Sequence, residues 1–451
     1  MPDANRPQVK RVPSKSERWI VLGAGVGVLL TVGAALSWSV YAHPLMALFD
    51  WSSLQVASVF ATFSFCLGIG AIAGGVLHDR FGPKRAVLVG ALLWGAAGIV
   101  SGVGLGRFGV WWLSLWYGVV GGVACGMMYV VPGATAARWF PEERGLANGI
   151  VLCGFGFGAL VFNLIIGAFP AFTAVTNASA QIIGAREAAL AAGHTLARSV
   201  AHGDVATMKA AFIVPGVVYA IVGSLCALVL HSPPPGYFVP KAAAELARER
   251  DFTPGEMLRT RAFYLVWIML FVNATCGLAL FSNAVPIYAR VAGIAAAAAT
   301  LAFGTISAAN GIGRLLWAWL SDVIGRMPSL SLCFALEGIG LWWLARAHGQ
   351  TTAAFGFAIV LLCFGGIFAI IPAIMAEFFG TRFFGEDYSF IITAASVAGL
   401  IGPLLVGGLE QIFGSLTAWL EPVAVALLLT AALPALTGRP SFQDTPARKG
   451  S

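Results

Sequence analysis

Long runs of apolar residues, broken only by short charged turns, constrain this chain more than any other feature of its sequence. The runs fall at 19–42, 53–77, 86–106, 110–137, 145–169 and 209–231, and again at 262–287, 295–318, 328–347, 352–376, 387–409 and 414–437. Roughly 18 or more apolar residues suffice to cross a hydrocarbon layer about 30 Å thick. Lipid offers the backbone no hydrogen-bond partner, so such runs form helices. No segment shows the alternation, about ten residues long, that marks a membrane β-barrel. Charged residues make up 10% of the chain and apolar ones 59%, whereas soluble domains carry about a quarter charged. The expected fold is an all-α membrane protein with twelve transmembrane helices in two pseudo-symmetric six-helix halves.

The pattern divides the chain into a tail at 1–18, a first half at 19–231, a linker at 232–261, a second half at 262–437 and a tail at 438–451. The first apolar run is too long for a signal-peptide core and no Ala-x-Ala site ends it, so it reads as a retained anchor. The linker opens on Pro233-Pro234-Pro235-Gly236 and continues through a charged stretch from Glu245 to Arg261 that reads as a partly amphipathic helix. The first half carries a long Ala-rich outer loop at 170–208, with a short helix expected near 180–200 and no function attached to it.

Charge placement sets an expected orientation. If the N-terminus is inside, the outer segments hold only Arg107, Arg186, Arg198, Lys209, Arg290 and Arg346, and every other Lys or Arg except Arg314 falls in an inner segment. That bias obeys the positive-inside rule and predicts a multi-pass protein of a bacterial inner membrane with both termini cytoplasmic. The net charge of +7 is thereby explained by topology. The basic residues form no continuous face, so nucleic acid is not expected as a partner. The seven cysteines all lie in apolar runs and read as free buried thiols, not a disulfide framework.

The halves echo one another. Gly75-Val76-Leu77-His78-Asp79-Arg80-Phe81-Gly82-Pro83-Lys84-Arg85 follows the second helix, and Ser321-Asp322-Val323-Ile324-Gly325-Arg326 follows the eighth. A charged turn follows the fourth helix, Arg138 to Arg144, and another the tenth, Glu377 to Arg382. Repeated halves around a central site are a common build of secondary transporters.

The loop at 75–85 resembles the motif of the major facilitator superfamily that latches the cytoplasmic side. That resemblance implies a gate built from Gly75, Asp79, Arg80, Arg85 and Arg138 and repeated at Asp322 and Arg326. Glycine lets the second and eleventh helices approach, and Asp79 accepts bonds from helix-end amides or from Arg138. Within the superfamily, Ala137 to Ala147, Gly255 to Thr260, Ser282 to Pro286 and Asn310-Gly311-Ile312-Gly313-Arg314 through Arg326 look like the oxalate/formate antiporter family, close to bacterial lactate transporters. The resemblance covers roughly 19–437, apart from the 170–208 insertion. It implies transport of small carboxylates by alternating access, by a protein that is normally a monomer.

Arg314 is the one basic residue placed well inside a membrane helix. Burying it costs at least about 2.5–3.5 kcal/mol on insertion scales, and its planar fork matches a carboxylate bidentately. A structural arginine bonded to carbonyls is the competing reading. The resemblance puts the family's carboxylate-binding arginine here. Asn310 lies one turn earlier on the same face, where related animal monocarboxylate transporters carry an acid. Their scheme of proton coupling therefore does not transfer directly. Tyr129 aligns with a family tyrosine at the substrate cavity. Leu36, Phe155, Phe364 and Phe368 stand where oxalate carriers place polar aromatics, and for any one of them taken singly packing is the better reading. Ala395 occupies the place where oxalate carriers have a lysine. With one buried cation the site suits a monocarboxylate such as lactate or pyruvate over a dianion.

Glu337, near the middle of the ninth helix, is a candidate proton carrier or a carboxyl bonded to a neighbouring helix. No histidine, aspartate and glutamate cluster has metal-ligand spacing and no phosphate loop is present, so neither a metal, a cofactor nor ATP drive is expected, and no enzyme chemistry. The leading expectation is a proton-coupled carboxylate carrier. Organic-anion exchange, export of another compound and a non-transporting membrane sensor stand as alternatives.

Overall fold

The computed structural model describes residues 15–167, isolated positions between 169 and 182, then 202–234, 251–294, 296–380, 382–413 and 417–440. In the first half, α1 runs Lys15–Gly33, tightens into a 3-10 turn at Ala34–Ser37 and resumes as Trp38–Phe49. It is followed by α2 (Ser53–Phe81), α3 (Pro83–Gly104), α4 (Val110–Trp139), α5 (Arg144–Gly167) and α6 (His202–Val229). The second half holds α7 (Arg261–Ala292), α8 in two pieces (Ala296–Ile306 and Ala308–Ile324), α9 (Arg326–Ala345), α10 (Gln350–Phe379), α11 (Phe384–Phe413) and α12 (Leu420–Thr430).

Local chemistry sets the boundaries. Ser52 and Gln55 form a reciprocal capping box at the start of α2, satisfying amides that the first turn leaves open. Thr260 accepts from the Phe263 amide at the start of α7. The α2–α3 and α8–α9 turns pass through Gly82 (φ 82°) and Gly325 (φ 94°). Side chains disfavour that backbone region, so glycine at both places repeats one turn in the two halves. Proline inside α4 (Pro132) and inside α10 (Pro372) repeats in the same way.

The structure departs from the sequence reading in several places. α1 extends to Phe49. α8 breaks at Ser307, whose hydroxyl donates to the Gly304 carbonyl at 2.7 Å and so gives the chain a local alternative to the helical ladder. α4 carries a π stretch at Ser114–Gly121. α6 begins at His202 and takes up the end of the expected outer loop. Between 183 and 201 that loop, with almost all of its expected helix, lies outside the described residues. So do linker residues 235–250 and most of both tails. The described end of the linker is one helical turn, Pro254–Met257, capped by Thr253 and Glu256.

Packing sorts central from peripheral helices. α4 and α10 are mostly buried, while α6 turns most of its surface outward, with Ile221, Leu225 and Leu228 exposed as a lipid-facing side requires. The seven cysteines are unpaired. Small residues bring backbones together where van der Waals contact must replace a hydrophobic driving force. A Cβ on Gly126 of α4 would overlap the Leu67 carbonyl of α2, and one on Gly313 of α8 the Leu362 carbonyl of α10.

The halves meet along two seams of this kind. α2 packs on α11 through Gly399 against Ser64, Gly68 against Ser396 and Gly75 against Gly385. α5 packs on α8 through Gly156 against Gly311, Gly149 against Ala318 and Gly145 against Asp322. Both seams run tight from mid-molecule to the face where the described residues begin and end. Arg18 meets Glu142 on that face, and Arg439 donates to the Glu377 carbonyl at 2.7 Å. It is called the terminal face below.

Overpacking a close approach costs about 1–3 kcal/mol. Gly126→Leu will therefore lower the thermal unfolding midpoint of the detergent-purified protein by several degrees. Gly23→Leu, in open space, will leave it unchanged.

Candidate functional site

Arg314 lies on the second piece of α8, whose buried face carries Asn310, Arg314, Trp317 and Ser321 at helical spacing. It is fully buried. Its Nε donates to Asn310 Oδ1 at 3.4 Å, a long bond. Nη1 and Nη2 have no partner in the protein. The guanidinium carbon sits 5.0 Å from the Phe155 ring centre and 5.5 Å from that of Phe368. Two aromatic faces thus supply a cation–π contribution but no hydrogen bond to the outer nitrogens.

Arg314 lines a cavity of about 60 Å³ together with Leu36 of α1, Tyr129 of α4, Phe155 of α5 and Phe364 and Phe368 of α10. α11 closes it with Ile392, Ala395 and Ser396, α2 with Phe60, Phe63, Ser64 and Leu67, and α7 with Leu278. At about 10–15 Å³ per water, the space holds on the order of four to six water-sized groups. Arg314 is its one charged lining residue, and Ala395 faces the same space. Asn310 stands behind Arg314 instead of on the wall, with its amide Nδ2 unpartnered. A larger apolar groove of about 410 Å³ lies between α1, α5 and α6. No charged residue lines it and Arg314 is not part of it, so the small cavity is where polar recognition is built.

Tyr129 is 3% exposed, edge-on to Phe155 at 5.1 Å, and its hydroxyl is unpartnered. The sequence reading assigned no role to Tyr388 of α11. It lies near Tyr129 and Arg314, fully buried, and its hydroxyl also lacks hydrogen-bond geometry to any group. Asn148 of α5 was missed as well: it is buried against Gly133 of α4 with both amide atoms unsatisfied. Nothing in the sequence marked either residue, because a lone Tyr or Asn in an apolar run does not reveal its partners.

At the terminal face each seam is tied by an aspartate of one half bound to a helix start of the other. Asp79 Oδ2 accepts from the Glu386 amide of α11 at 3.1 Å. Its Oδ1 accepts from Arg138 Nη2 at 2.7 Å and lies 2.8 Å from His78 Nδ1. Arg138 also donates to the Arg382 carbonyl at 3.3 Å. In the mirrored position, Asp322 Oδ2 accepts from the Leu146 amide of α5 at 2.8 Å, and Oδ1 pairs with Arg326. Arg326 reaches Glu377 Oε1 with Nη2 at 2.7 Å and Nε at 2.9 Å. Gly75 and Gly145 allow these approaches. Arg80 and Arg85 are exposed and lie outside this network.

Glu337 of α9 does not line the cavity. It is fully buried, and both its oxygens accept from Asn273 Nδ2 of α7, at 3.2 and 3.0 Å. It joins two helices within the second half.

The sequence profile of the Major Facilitator Superfamily matches residues 23–309 and 274–450. The chain belongs to the Major Facilitator Superfamily. Its twelve-helix fold is therefore that of a multi-pass membrane transporter, not an enzyme. Among curated relatives in the superfamily, the "Oxalate:formate antiporter" of Oxalobacter formigenes is 29% identical, with 89% of this chain and 87% of the relative covered. "Apicoplast pyruvate carrier 1" of Toxoplasma gondii is 27% identical, with 93% and 80% covered. Among solved superfamily structures, the fucose:proton symporter of E. coli aligns with a TM-score of 0.63 at 13% identity, covering 93% of this chain and 98% of that one. A proton:xylose symporter aligns at 0.67 and 14% identity, covering 94% and 95%. At these identities the structures speak for the fold alone.

An unpaired buried amide costs about 1–3 kcal/mol. Glu337→Leu will lower the unfolding midpoint by stranding Asn273. Glu337→Gln will restore it and will transport with unchanged pH dependence.

Proposed function

We propose that this superfamily member carries short monocarboxylates, of the size of lactate or pyruvate, by alternating access with proton symport. One observation carries the reading: the two outer nitrogens of Arg314 are buried and without a hydrogen-bond partner, and Arg314 lines a small cavity with no second cation among its lining residues. A carboxylate satisfies both nitrogens with parallel charge-assisted bonds. The Tyr129 hydroxyl offers a third, and Asn310 fixes the guanidinium from behind. Leu36, Phe155, Phe364 and Phe368 accommodate a short alkyl or acyl tail. A dianion would leave one charge uncompensated among apolar walls, and Ala395 provides nothing to meet it. The name of the Toxoplasma gondii relative, a pyruvate carrier, agrees with this chemistry.

In this scheme the substrate anion cancels the Arg314 charge, which lowers the cost of moving the site between the two sides. The six-helix halves, 19–231 and 262–437, move as bodies. The seams at Gly75, Asp79, Arg138, Asp322 and Arg326 part and close, with Arg80 and Arg85 as exposed flanking cations. The terminal face is cytoplasmic in a bacterial inner membrane, in keeping with the Lys and Arg bias, and the monomer is the working unit. The name of the Oxalobacter formigenes relative, an antiporter, favours a second reading, in which the same site exchanges two organic anions.

Proteoliposome uptake of labelled lactate tests both readings. Two charge-assisted bonds at about 1.5–3 kcal/mol each put the loss in Arg314→Ala at about 100-fold or more. Arg314→Lys will not rescue it, because an ammonium lacks the fork. Oxalate strongly preferred over lactate would overturn the monocarboxylate assignment. A pH jump driving net uptake without an internal anion favours symport, and strict dependence on an internal anion favours exchange. Ala395→Lys will raise the ratio of oxalate to lactate uptake, since it returns a second cation to the cavity wall.

A further inference from the structure

Asp387 is the least compensated acid among the described residues. It lies in the first turn of α11, 1% exposed, and neither carboxylate oxygen has a hydrogen-bond donor. The charged groups acting on it are Asp79 from α2, Glu386 beside it and Asp251 ahead of α7, and all three are acids. The neighbouring cations are committed elsewhere. Arg138 of α4 is held by Asp79 Oδ1 and the Arg382 carbonyl. The Arg382 guanidinium sits over the Phe383 ring at 5.2 Å. The other titratable group of this seam is His78 of α2. It is 1% exposed, with Nδ1 on Asp79 and Nε2 unpartnered. The helix-start amide nearest Asp387, that of Glu386, already donates to Asp79.

The opposite seam shows that this acid is not needed to build the contact. There Gly145 and Leu146 of α5 meet Asp322 as Gly385 and Glu386 of α11 meet Asp79. The residue that follows, matching Asp387, is the buried Ala147. One copy of the same joint is thus made with a methyl group and the other with a carboxyl.

We propose that Asp387 is a proton-binding group of the terminal-face gate, occupied while α2 and α11 are closed and emptied when they part. An ionised carboxylate with no donor, beside another carboxylate and away from water, is strongly disfavoured, so the closed seam holds the neutral acid. Parting α2 from α11 breaks the Asp79 bond to the Glu386 amide and admits water. The carboxyl O–H bond then breaks, the proton passes to water on the terminal face and the carboxylate remains solvated. Closing the gate takes one proton back. Linkage follows: rising pH favours the open terminal face and falling pH the closed one. This rests on alternating access but not on the identity of the substrate.

Hydrogen–deuterium exchange of the full chain in detergent, without substrate and corrected for intrinsic exchange, reads the seam directly in segments 75–85 and 382–389. In the wild type, protection will fall as pH rises from mildly acidic to mildly alkaline, by at most about tenfold per pH unit for one linked proton. In Asp387→Asn, and in Asp387→Ala, which copies the Ala147 joint of the opposite seam, protection will stay high and flat. Protection in the wild type that is independent of pH overturns the proposal even if both variants misfold. Variants that keep the wild-type pH dependence also overturn it and move the effect to His78. Because no substrate is present, failure here leaves the substrate assignment standing, and failure of lactate uptake leaves this result standing.

Discussion

An arginine side chain, fully buried in a membrane protein with its two outer nitrogens unbonded, is the constraint around which the centre of this molecule is arranged. An uncompensated charge in such surroundings is expensive, and the neighbourhood only partly relieves it. Asn310 takes the inner nitrogen at a long distance, and Phe155 and Phe368 lie against the guanidinium. The remaining donors have no hydrogen-bond partner, and the residue lines a small cavity reached by helices from both halves. A site of this kind is poised for an anion of matching shape. Its single positive charge is the physical basis for a preference by charge number, and its aromatic and aliphatic walls are the basis for a preference by tail.

The rest of the fold bears on that site by controlling how closely backbones approach. The seams between halves use glycine and other small residues, and each is tied at the terminal face by an aspartate holding a helix start of the opposite half. Such ties are few, polar and local, so a small number of polar bonds joins two bodies that are each well packed. Glu337 and Asn273 do a different job: their bond lies inside one half and links α7 to α9, away from the seams between the halves and from Arg314.

Much of this was legible in the sequence, for identifiable reasons. Twelve apolar runs read as twelve crossings because lipid leaves the backbone no alternative to helix. Arg314 stood out because a charge within such a run is rare. Leu36, Tyr129, Phe155, Phe364 and Phe368 came from resemblance to a family, and they do share one cavity with Arg314; their spacing alone would not have joined helices so distant in the chain. The break of α8 at Ser307 was invisible, since one serine in an apolar run does not announce which carbonyl its hydroxyl takes. Tyr388 and Asn148 were missed because their burial depends on neighbours from other helices. Asp387 looked like an ordinary charge at a helix start. Only the folded seam reveals that its natural donor is occupied by Asp79 and that the matching joint uses Ala147.

The central claim is most directly tested by an experimental structure of the protein with L-lactate bound. The account predicts the carboxylate oxygens about 2.7–2.9 Å from Nη1 and Nη2 of Arg314, with the methyl end among Leu36, Phe155, Phe364 and Phe368. Lactate bound elsewhere, with the Arg314 nitrogens bonded to protein groups whether or not it is present, would contradict it.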